Sequence, residues 1–368
     1  MNIANESLLY CGFFSGIAYI SYVLVGYPYL LRLLTARPSN KHNTINCPEH
    51  QPITVVVPCF NEEDNVEQKV KNIFETNYPK DKLEVLFIDN GSTDKTITLL
   101  ENLLENYSFE FLTSPPGKTQ ALNKAMEVAS AEIIVNTDCD THWAKDSLAK
   151  LIQPLAEKDI GGVCATPKIK KSLFDSKVRY HKSDWIIRSL ESHLDTCSSL
   201  DGRLMAFKRS ALGMIRSDAS NDDFEITLTL RRRGFKSLAL RDVFVEENSP
   251  ETIAQELGQI RRRARQCLLS LVHYRTMLFN PRYGFYGIFI LPSRRLLPIF
   301  LPFFVILVIG SALFLWTIPT IFVTAVILLI ALLTGNLYKL IQLYGVSLGW
   351  VDTALIKTKA GVWMRTDP

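Results

Sequence analysis

Three long apolar runs without a charged side chain constrain this chain of 368 residues more than any other feature: residues 8–31, 296–316 and 320–337. Each is long enough to cross roughly 30 Å of hydrocarbon. A buried helical hairpin would be the alternative for the last two, but their length favours membrane spans. The short break between them falls near Pro319. The first run has no basic residue before it and is longer than the apolar stretch of a secretory signal, so it reads as an uncleaved anchor.

Basic residues set the expected orientation. Arg32, Arg37 and Lys41 follow the first run; Arg282, Arg294 and Arg295 precede the second; Lys339, Lys357 and Lys359 follow the third. Cytoplasmic flanks carry the excess of Lys and Arg. Three spans then place the middle of the chain and its tail in the cytoplasm, on a multi-pass protein of the inner or plasma membrane. The organisation expected is an anchor at 1–35, a linker at 36–51, a catalytic domain at 52–250, an interfacial helical segment at 251–295, two membrane helices at 296–341 and a tail at 342–368.

The seven cysteines are scattered, with no Cys-x-x-Cys pair, which suggests neither a zinc site nor a disulfide framework. A net charge of +4, from 41 basic and 37 acidic side chains, gives no case for nucleic-acid binding, since many of the basic groups flank the apolar runs.

Between the anchors, short β-branched runs alternate with amphipathic segments. Strands are expected at 53–57, 84–88, 109–112 and 133–137, and helices at 62–77, 94–106 and 119–129. This order predicts an α/β domain with a mainly parallel sheet. Ligands of such sheets sit beyond the carboxyl ends of the strands, so the polar residues after each strand are the candidates.

The first strand ends in Pro58-Cys59-Phe60-Asn61-Glu62-Glu63 and the second in Asp89-Asn90-Gly91-Ser92-Thr93-Asp94. Turn and capping roles account for Ser92 and Asp94. Asp89, at the strand end itself, can accept hydrogen bonds from a ribose hydroxyl or a base imide. The fourth strand ends in Asp138-Cys139-Asp140. Two carboxylates so close are costly unless a cation or donors neutralise them, and carboxylate oxygens are what Mg²⁺ or Mn²⁺ prefers. His142, close by, reads as structural. Gly117-Lys118-Thr119 lacks the glycine that a phosphate-binding P-loop needs five positions earlier, where Leu112 stands. Lys118 can still meet a phosphate as a point charge.

Asp222-Asp223 opens a helix that ends at Arg231-Arg232-Arg233-Gly234. One acid suits the helix dipole; the other is free to act as a general base. The basic segment Gln259-Ile260-Arg261-Arg262-Arg263-Ala264-Arg265 suits anionic lipid or, through paired guanidinium donors, a diphosphate.

Taken in order, these motifs resemble glycosyltransferase family 2, inverting enzymes of GT-A fold, over roughly residues 52–266. The flanking spans fit membrane-anchored members. The matching features are the stretch from Val57 through Pro58, Asn61 and Glu62, then Asp89 to Asp94, Gly117-Lys118 with Ala121-Leu122-Asn123, Asp138-Cys139-Asp140, and Asp222-Asp223. The resemblance implies that Pro58, Asn61, Glu62, Asp89, Lys118, Asp138 and Asp140 bind the donor. Asp89 would contact its uracil or ribose, and Asp140 would hold a divalent cation, Mn²⁺ or Mg²⁺, on the diphosphate. Asp223 would be the catalytic base. Asp222, Gln259, Arg262 and Arg263 would serve the acceptor and diphosphate.

There are departures. Asp222 replaces the family's Glu, and Arg263 stands where the family's Gln-x-x-Arg-Trp element has Trp. Loss of that Trp weakens the case for processive synthesis. The expected activity is transfer of one sugar from a nucleotide sugar, UDP-linked by preference, to a lipid-linked or membrane-proximal saccharide acceptor in envelope or exopolysaccharide synthesis. A processive polysaccharide synthase is the alternative, for which three spans are few unless a second copy or an envelope-biosynthesis partner supplies more. An inactive nucleotide-sugar-binding scaffold is a third reading, and the joint presence of Asp89, Asp138, Asp140 and Asp223 opposes it.

Overall fold

The computed structural model describes residues 3–36, 50–169, 175–216, 219, 222–247, 252–315, 344–349 and 352. The apolar run at 320–337 and most of the tail at 342–368 lie outside them.

The chain begins with helices α1 (Ile3–Ser21) and α2 (Tyr27–Thr35), which run on as one apolar helical segment, Asn5–Thr35. The α/β domain follows in the order β1 (Ile53–Cys59), α3 (Val66–Phe74), β2 (Leu83–Asp89), α4 (Thr96–Leu103), β3 (Glu110–Thr113), α5 (Lys118–Val128) and β4 (Ile133–Thr137). It continues through β5 (His142–Trp143), α6 (Ser147–Ile152), β6 (Ile160–Ile169), α7 (Asp175–Leu194), β7 (Leu204–Lys208), α8 (Arg209–Leu212), α9 (Asp222–Arg232) and β8 (Lys236–Glu247). The long helix α10 (Ile253–His273) leads to a second apolar segment, Tyr286–Leu315, whose last part is α11 (Leu301–Leu315).

Among the described residues the strands form one sheet in the order β3-β2-β1-β4-β7-β6-β8-β5. The sheet is mainly parallel, as expected, β6 and β8 included, but it is mixed, because β7 and β5 run against their neighbours. Its first half, β3-β2-β1-β4, is parallel. β7 then enters antiparallel to both β4 and β6, and β5 antiparallel to β8. The βαβ units seen in sequence stop at β4. The later strands are joined by longer excursions that let a strand return in the opposite sense. Two apolar layers cover the faces, one including Val55, Val57 and Phe87, the other Val56, Leu86 and Ile88. The alternation along β1 and β2 is thus apolar on both sides, as a central strand requires.

Register puts the carboxyl ends of the parallel strands side by side. Cys59 pairs with Asp89 across β1 and β2, and Val56 with Asn136 across β1 and β4. Pro58 lies beyond the last β1–β4 pair, so its missing N–H costs no ladder bond on that side.

Among the described residues, two helical segments are long and apolar enough to cross a membrane. The second begins ten residues before the expected start at 296 and takes Arg294 and Arg295 into the helix. The segments pack on each other through Phe13, Val308 and Ala312. A Cβ at Gly16 would come within 2.5 Å of Val308, so that glycine permits the close approach. Tyr19 donates to the Leu297 carbonyl at 2.7 Å, and Tyr22 shares a 2.7 Å hydrogen bond with Ser293.

Both segments are tied to the α/β domain through α7. Glu191 is fully buried. It accepts from the Tyr27 hydroxyl at 2.7 Å and from the Ser198 amide at 2.7 Å, and lies 3.6 Å from Arg294. Arg294 also pairs with Asp184 of the same helix. Burial raises the Glu191 carboxyl, and the donated bonds from Tyr27 and Ser198 oppose that rise. Removing one member of such a buried set leaves the others unpaired, at a cost of about 3–5 kcal/mol. Glu191→Ala should therefore lower stability in detergent by roughly that amount, and Tyr27→Phe by roughly 1–2 kcal/mol. Thermal unfolding monitored at both variants checks this; an unchanged midpoint for Glu191→Ala would show that the tie carries no load.

Candidate active site

The loops after β1 and β2 are laced together. Asn61 adopts a left-handed φ of 54°, a conformation asparagine tolerates better than most residues. Its amide donates to Ser92 Oγ at 2.9 Å, and its side-chain oxygen accepts from the Thr93 amide at 2.8 Å. The Glu62 amide donates to Thr96 Oγ1 at 2.8 Å, and Glu62 Oε2 accepts from Asn65 Nδ2 at 2.7 Å. Asp89 is buried, and its Oδ2 accepts from the Gly91 amide at 3.0 Å and the Ser92 amide at 3.2 Å. Asp89, Asn61 and Glu62 are therefore brought together. Asp89 also has a local task, shaping its own turn, that its position in the sequence does not reveal. Two backbone donors leave a carboxylate with further acceptor capacity.

Gly117, at φ 120°, turns the chain into α5 in a conformation that a side chain would strain. This sets Lys118 at the start of the helix, where its Nζ lies 2.6 Å from Asp138 Oδ1. The two residues expected on the nucleotide and on a phosphate form one ion pair. Asp140 is exposed at the surface yet hemmed in by protein. Burial raises its carboxyl, the Asp138 charge raises it further, and Lys69 and Arg203 oppose. Water still reaches the group and screens these fields.

Lys69 is a buried charge beneath the Asp138–Asp140 loop that sequence reading missed. It is fully buried on α3, within the apolar stripe Val66, Val70, Ile73. Its ammonium donates to Thr137 Oγ1 at 3.1 Å, to Thr141 Oγ1 at 3.1 Å and to the Thr141 carbonyl. It also sits 4.3 Å from the centre of the Trp143 ring. Burial lowers its pKa to about 8, against the pull of Cys139, Asp140 and Asp138. A lysine at a core position of an amphipathic helix was the available signal. Its partners, some 70 residues away, were not visible.

A second buried network supports the same loop from below. Arg188 pairs with Asp184 at 2.9 Å and approaches Asp201 at 3.8 Å, and Arg203 pairs with Asp201 at 3.1 Å. The Arg203 carbonyl accepts from Thr137 Oγ1 at 2.8 Å and from the Asp138 amide at 3.3 Å. Arg188 lies within the field of Asp201 first and of Asp223 as well, and both help hold it protonated despite its burial. Asp223 is thereby linked to the Asp138 loop through a relay of buried charges.

Asp223 itself stands in the first turn of α9, where its Oδ1 accepts from the Phe224 amide at 2.6 Å. Phe224 and Leu228, one turn apart, pack on Leu271, Tyr274, Tyr286 and Leu291. Buried Glu225 accepts from Tyr274 Oη at 2.8 Å and pairs with Arg216 at 3.2 Å. These contacts fix α9 against α10 and against the start of the second apolar segment. Gln259, Arg262 and Arg263 lie along α10. Of these, Arg263 is exposed and its charge reaches Asp201. Asp222 lies at the first position of α9.

Among the described residues, no group of three or more His, Cys, Asp or Glu side chains converges as a complete metal site. The Asp138–Asp140 pair fits a different arrangement. Mg²⁺ and Mn²⁺ commonly take one or two carboxylates and complete their shell with substrate phosphates and water. A cation there would relieve the mutual repulsion that raises Asp140.

Comparisons with known proteins agree with this architecture. The glycosyl transferase family 2 model matches residues 54–218. The chain is 28% identical over 207 residues to the poly-beta-1,6-N-acetyl-D-glucosamine synthase of Staphylococcus aureus (strain MSSA476), covering 54% of this chain and 50% of that protein. It is 27% identical over 243 residues to the enzyme of the same name from Staphylococcus epidermidis, covering 62% and 57%. The chain thus spans about half the length of the curated relatives it matches. A mannosyltransferase from Pyrobaculum calidifontis, solved with GDP-Man and Mn²⁺, superposes with a TM-score of 0.78 at 24% identity, over 96% of this chain and 99% of that one. That likeness extends the shared fold through both apolar helical segments. Residues 54–218 thus carry the match to glycosyl transferase family 2, in a chain that shares its fold with the Pyrobaculum mannosyltransferase.

Proposed function

We propose that the chain is an inverting glycosyltransferase that moves a single sugar from a nucleotide-sugar donor to a lipid-linked or membrane-proximal saccharide acceptor, at a cytoplasmic active site in the membrane of origin. One observation carries this reading. Asp89 and the Asp138–Asp140 loop follow the carboxyl ends of the two parallel strands that flank β1, Lys118 pairs with Asp138, and Asp223 shares the field of Arg188 with Asp201, while α9 adjoins the start of an apolar helical segment.

In this reading the strand-end loops hold the nucleoside, with Asp89 as acceptor for its ribose or base. Lys118, freed from Asp138 when a diphosphate arrives, meets a phosphate as a compact charge. Asp138 and Asp140 would hold a divalent cation, which when bound neutralises charge on the leaving diphosphate. Lys69 and the Asp201–Arg203 pair fix the loop that carries both acids. Asp223 takes the proton from the acceptor hydroxyl as that oxygen attacks the anomeric carbon. A single displacement on an α-linked donor leaves a β-glycoside.

UDP-N-acetylglucosamine is the donor suggested by the staphylococcal relatives, whose names also favour a second reading, a processive synthase. Arg263, in place of the tryptophan expected in a polymer-binding platform, supports single addition.

The test is transfer from labelled UDP-N-acetylglucosamine and GDP-mannose by the full chain in native membranes, followed by lipid extraction and gel analysis. Label in the lipid fraction as a single-sugar product is expected. A ladder would establish the synthase reading, and no transfer from any nucleotide sugar would overturn both.

A further inference from the structure

Two adjacent arginines open the second apolar segment, and their surroundings differ. Arg294 is committed to Asp184 and Glu191, the tie that docks the catalytic domain. Arg295 is half-buried and has no ion pair or hydrogen-bond acceptor among the described residues. Its Nε is fully buried, and its guanidinium carbon stands 5.1 Å from the centre of the Phe224 ring. Glu191, whose buried carboxylate feels the Arg295 charge, is already taken by Tyr27, Ser198 and Arg294. A guanidinium whose Nε is withdrawn from water without an acceptor is costly, and its two terminal nitrogens remain open to a ligand. Stacking on an aromatic face recovers only part of that cost, roughly 0.5–2 kcal/mol. Its charge favours Glu191 at range, but the docking contacts themselves are made by Arg294.

The position of Arg295 says what kind of anion would complete it. Phe224 directly follows Asp223 and is itself buried among Leu271, Tyr286 and Leu291. Cys267 of α10, raised chiefly by its burial, feels the charges of both Arg295 and Asp223, in opposite senses. An anion paired with Arg295 therefore sits beside the base, where the catalytic domain meets the apolar helix.

We propose that Arg295 is a phosphate-binding residue on the acceptor side of the active site. This deepens the glycosyltransferase reading and rests on it for the identity of the ligand. A guanidinium fork matches two oxygens of a phosphate at once. Two sources bring a phosphate to this spot, the diphosphate of the donor and the phosphate head of a lipid-linked acceptor. An arginine supplied by the membrane segment itself suits the lipid phosphate.

The experiment uses the full chain in lipid nanodiscs, with wild type, Arg295→Gln and Arg295→Lys. Three probes are titrated: UDP with Mn²⁺, a long-chain polyprenyl phosphate, and the corresponding polyprenol without phosphate. Charge-assisted paired bonds predict that Arg295→Gln loses about tenfold or more in affinity for a phosphate probe, with none for polyprenol. Arg295→Lys should recover part of it. Loss confined to polyprenyl phosphate assigns the site to the lipid, and loss confined to UDP assigns it to the donor. A folded Arg295→Gln that binds both phosphates within twofold of wild type overturns the proposal. If that variant does not fold, dicarbonyl modification of Arg295 in wild type decides: protection by either phosphate probe is expected, and no protection by either overturns it. A wild type that binds no nucleoside diphosphate would instead sink the glycosyltransferase reading, leaving the polyprenyl phosphate arm to judge Arg295 alone.

Discussion

Asp223→Asn is expected to lower kcat by about 10²–10⁴-fold, the usual worth of a general base, while nucleotide affinity stays close to wild type. The amide keeps the shape of the carboxylate and can still accept the 2.6 Å bond from the Phe224 amide. What it cannot do is take a proton. Asp223 lies in the first turn of α9, where the helix dipole favours an ionised acid, and it shares the buried field of Arg188. Both influences suit a base that is charged before the acceptor arrives. Asp222→Asn should be the milder change, since an amide at a helix start serves as well as an acid. Steady-state kinetics and nucleotide titration on both variants decide. An active Asp223→Asn beside a dead Asp222→Asn would move the base by one residue. Loss of nucleotide binding in both would make the segment structural.

Chelation is the second large effect. Neutralising charge on a departing diphosphate contributes several kcal/mol, so excess chelator should suppress transfer on the order of 10³-fold, and Mn²⁺ or Mg²⁺ should restore it. Asp140 motivates this, because its carboxyl is raised by burial and by Asp138, against the opposing pull of Lys69, Arg203 and a backbone hydrogen bond. Asp140→Asn should remove the cation dependence of nucleotide binding. Full activity in excess chelator would leave the two acids without the role given to them.

The parts of this site that lie at strand ends were legible in the sequence for a physical reason. A central parallel strand is apolar throughout, so the first polar residues after Val57, Ile88 and Val135 mark where the sheet opens to ligand. Asp89, Asp138 and Asp140 stand out that way. The antiparallel β7 was not legible, since strand direction depends on a connection whose path no local pattern records. Nor were the groups beneath the loops. Lys69 meets Thr137 and Thr141 across about 70 positions, and Arg188 meets Asp201 only because α7 folds back on the sheet. The same limit applies at the membrane side. Arg294 and Arg295 read as a topogenic pair marking a cytoplasmic flank, whereas Asp184 and Glu191 take one of them into the fold. Asp89 shows the converse: singled out for a ligand, it also shapes its own turn.

The central claim is that the rim formed by Asp89, Lys118, Asp138 and Asp140 is a nucleoside diphosphate site completed by a divalent cation. Calorimetric titration of UDP and GDP into the detergent-solubilised full chain, with Mn²⁺ and again with chelator, tests it most directly. One of the two nucleotides should bind at a single site when Mn²⁺ is present, and that binding should be lost in chelator and weakened in Asp140→Asn. A cooperatively folded protein that binds neither nucleotide in Mn²⁺, or binds one equally well in chelator, would contradict the account.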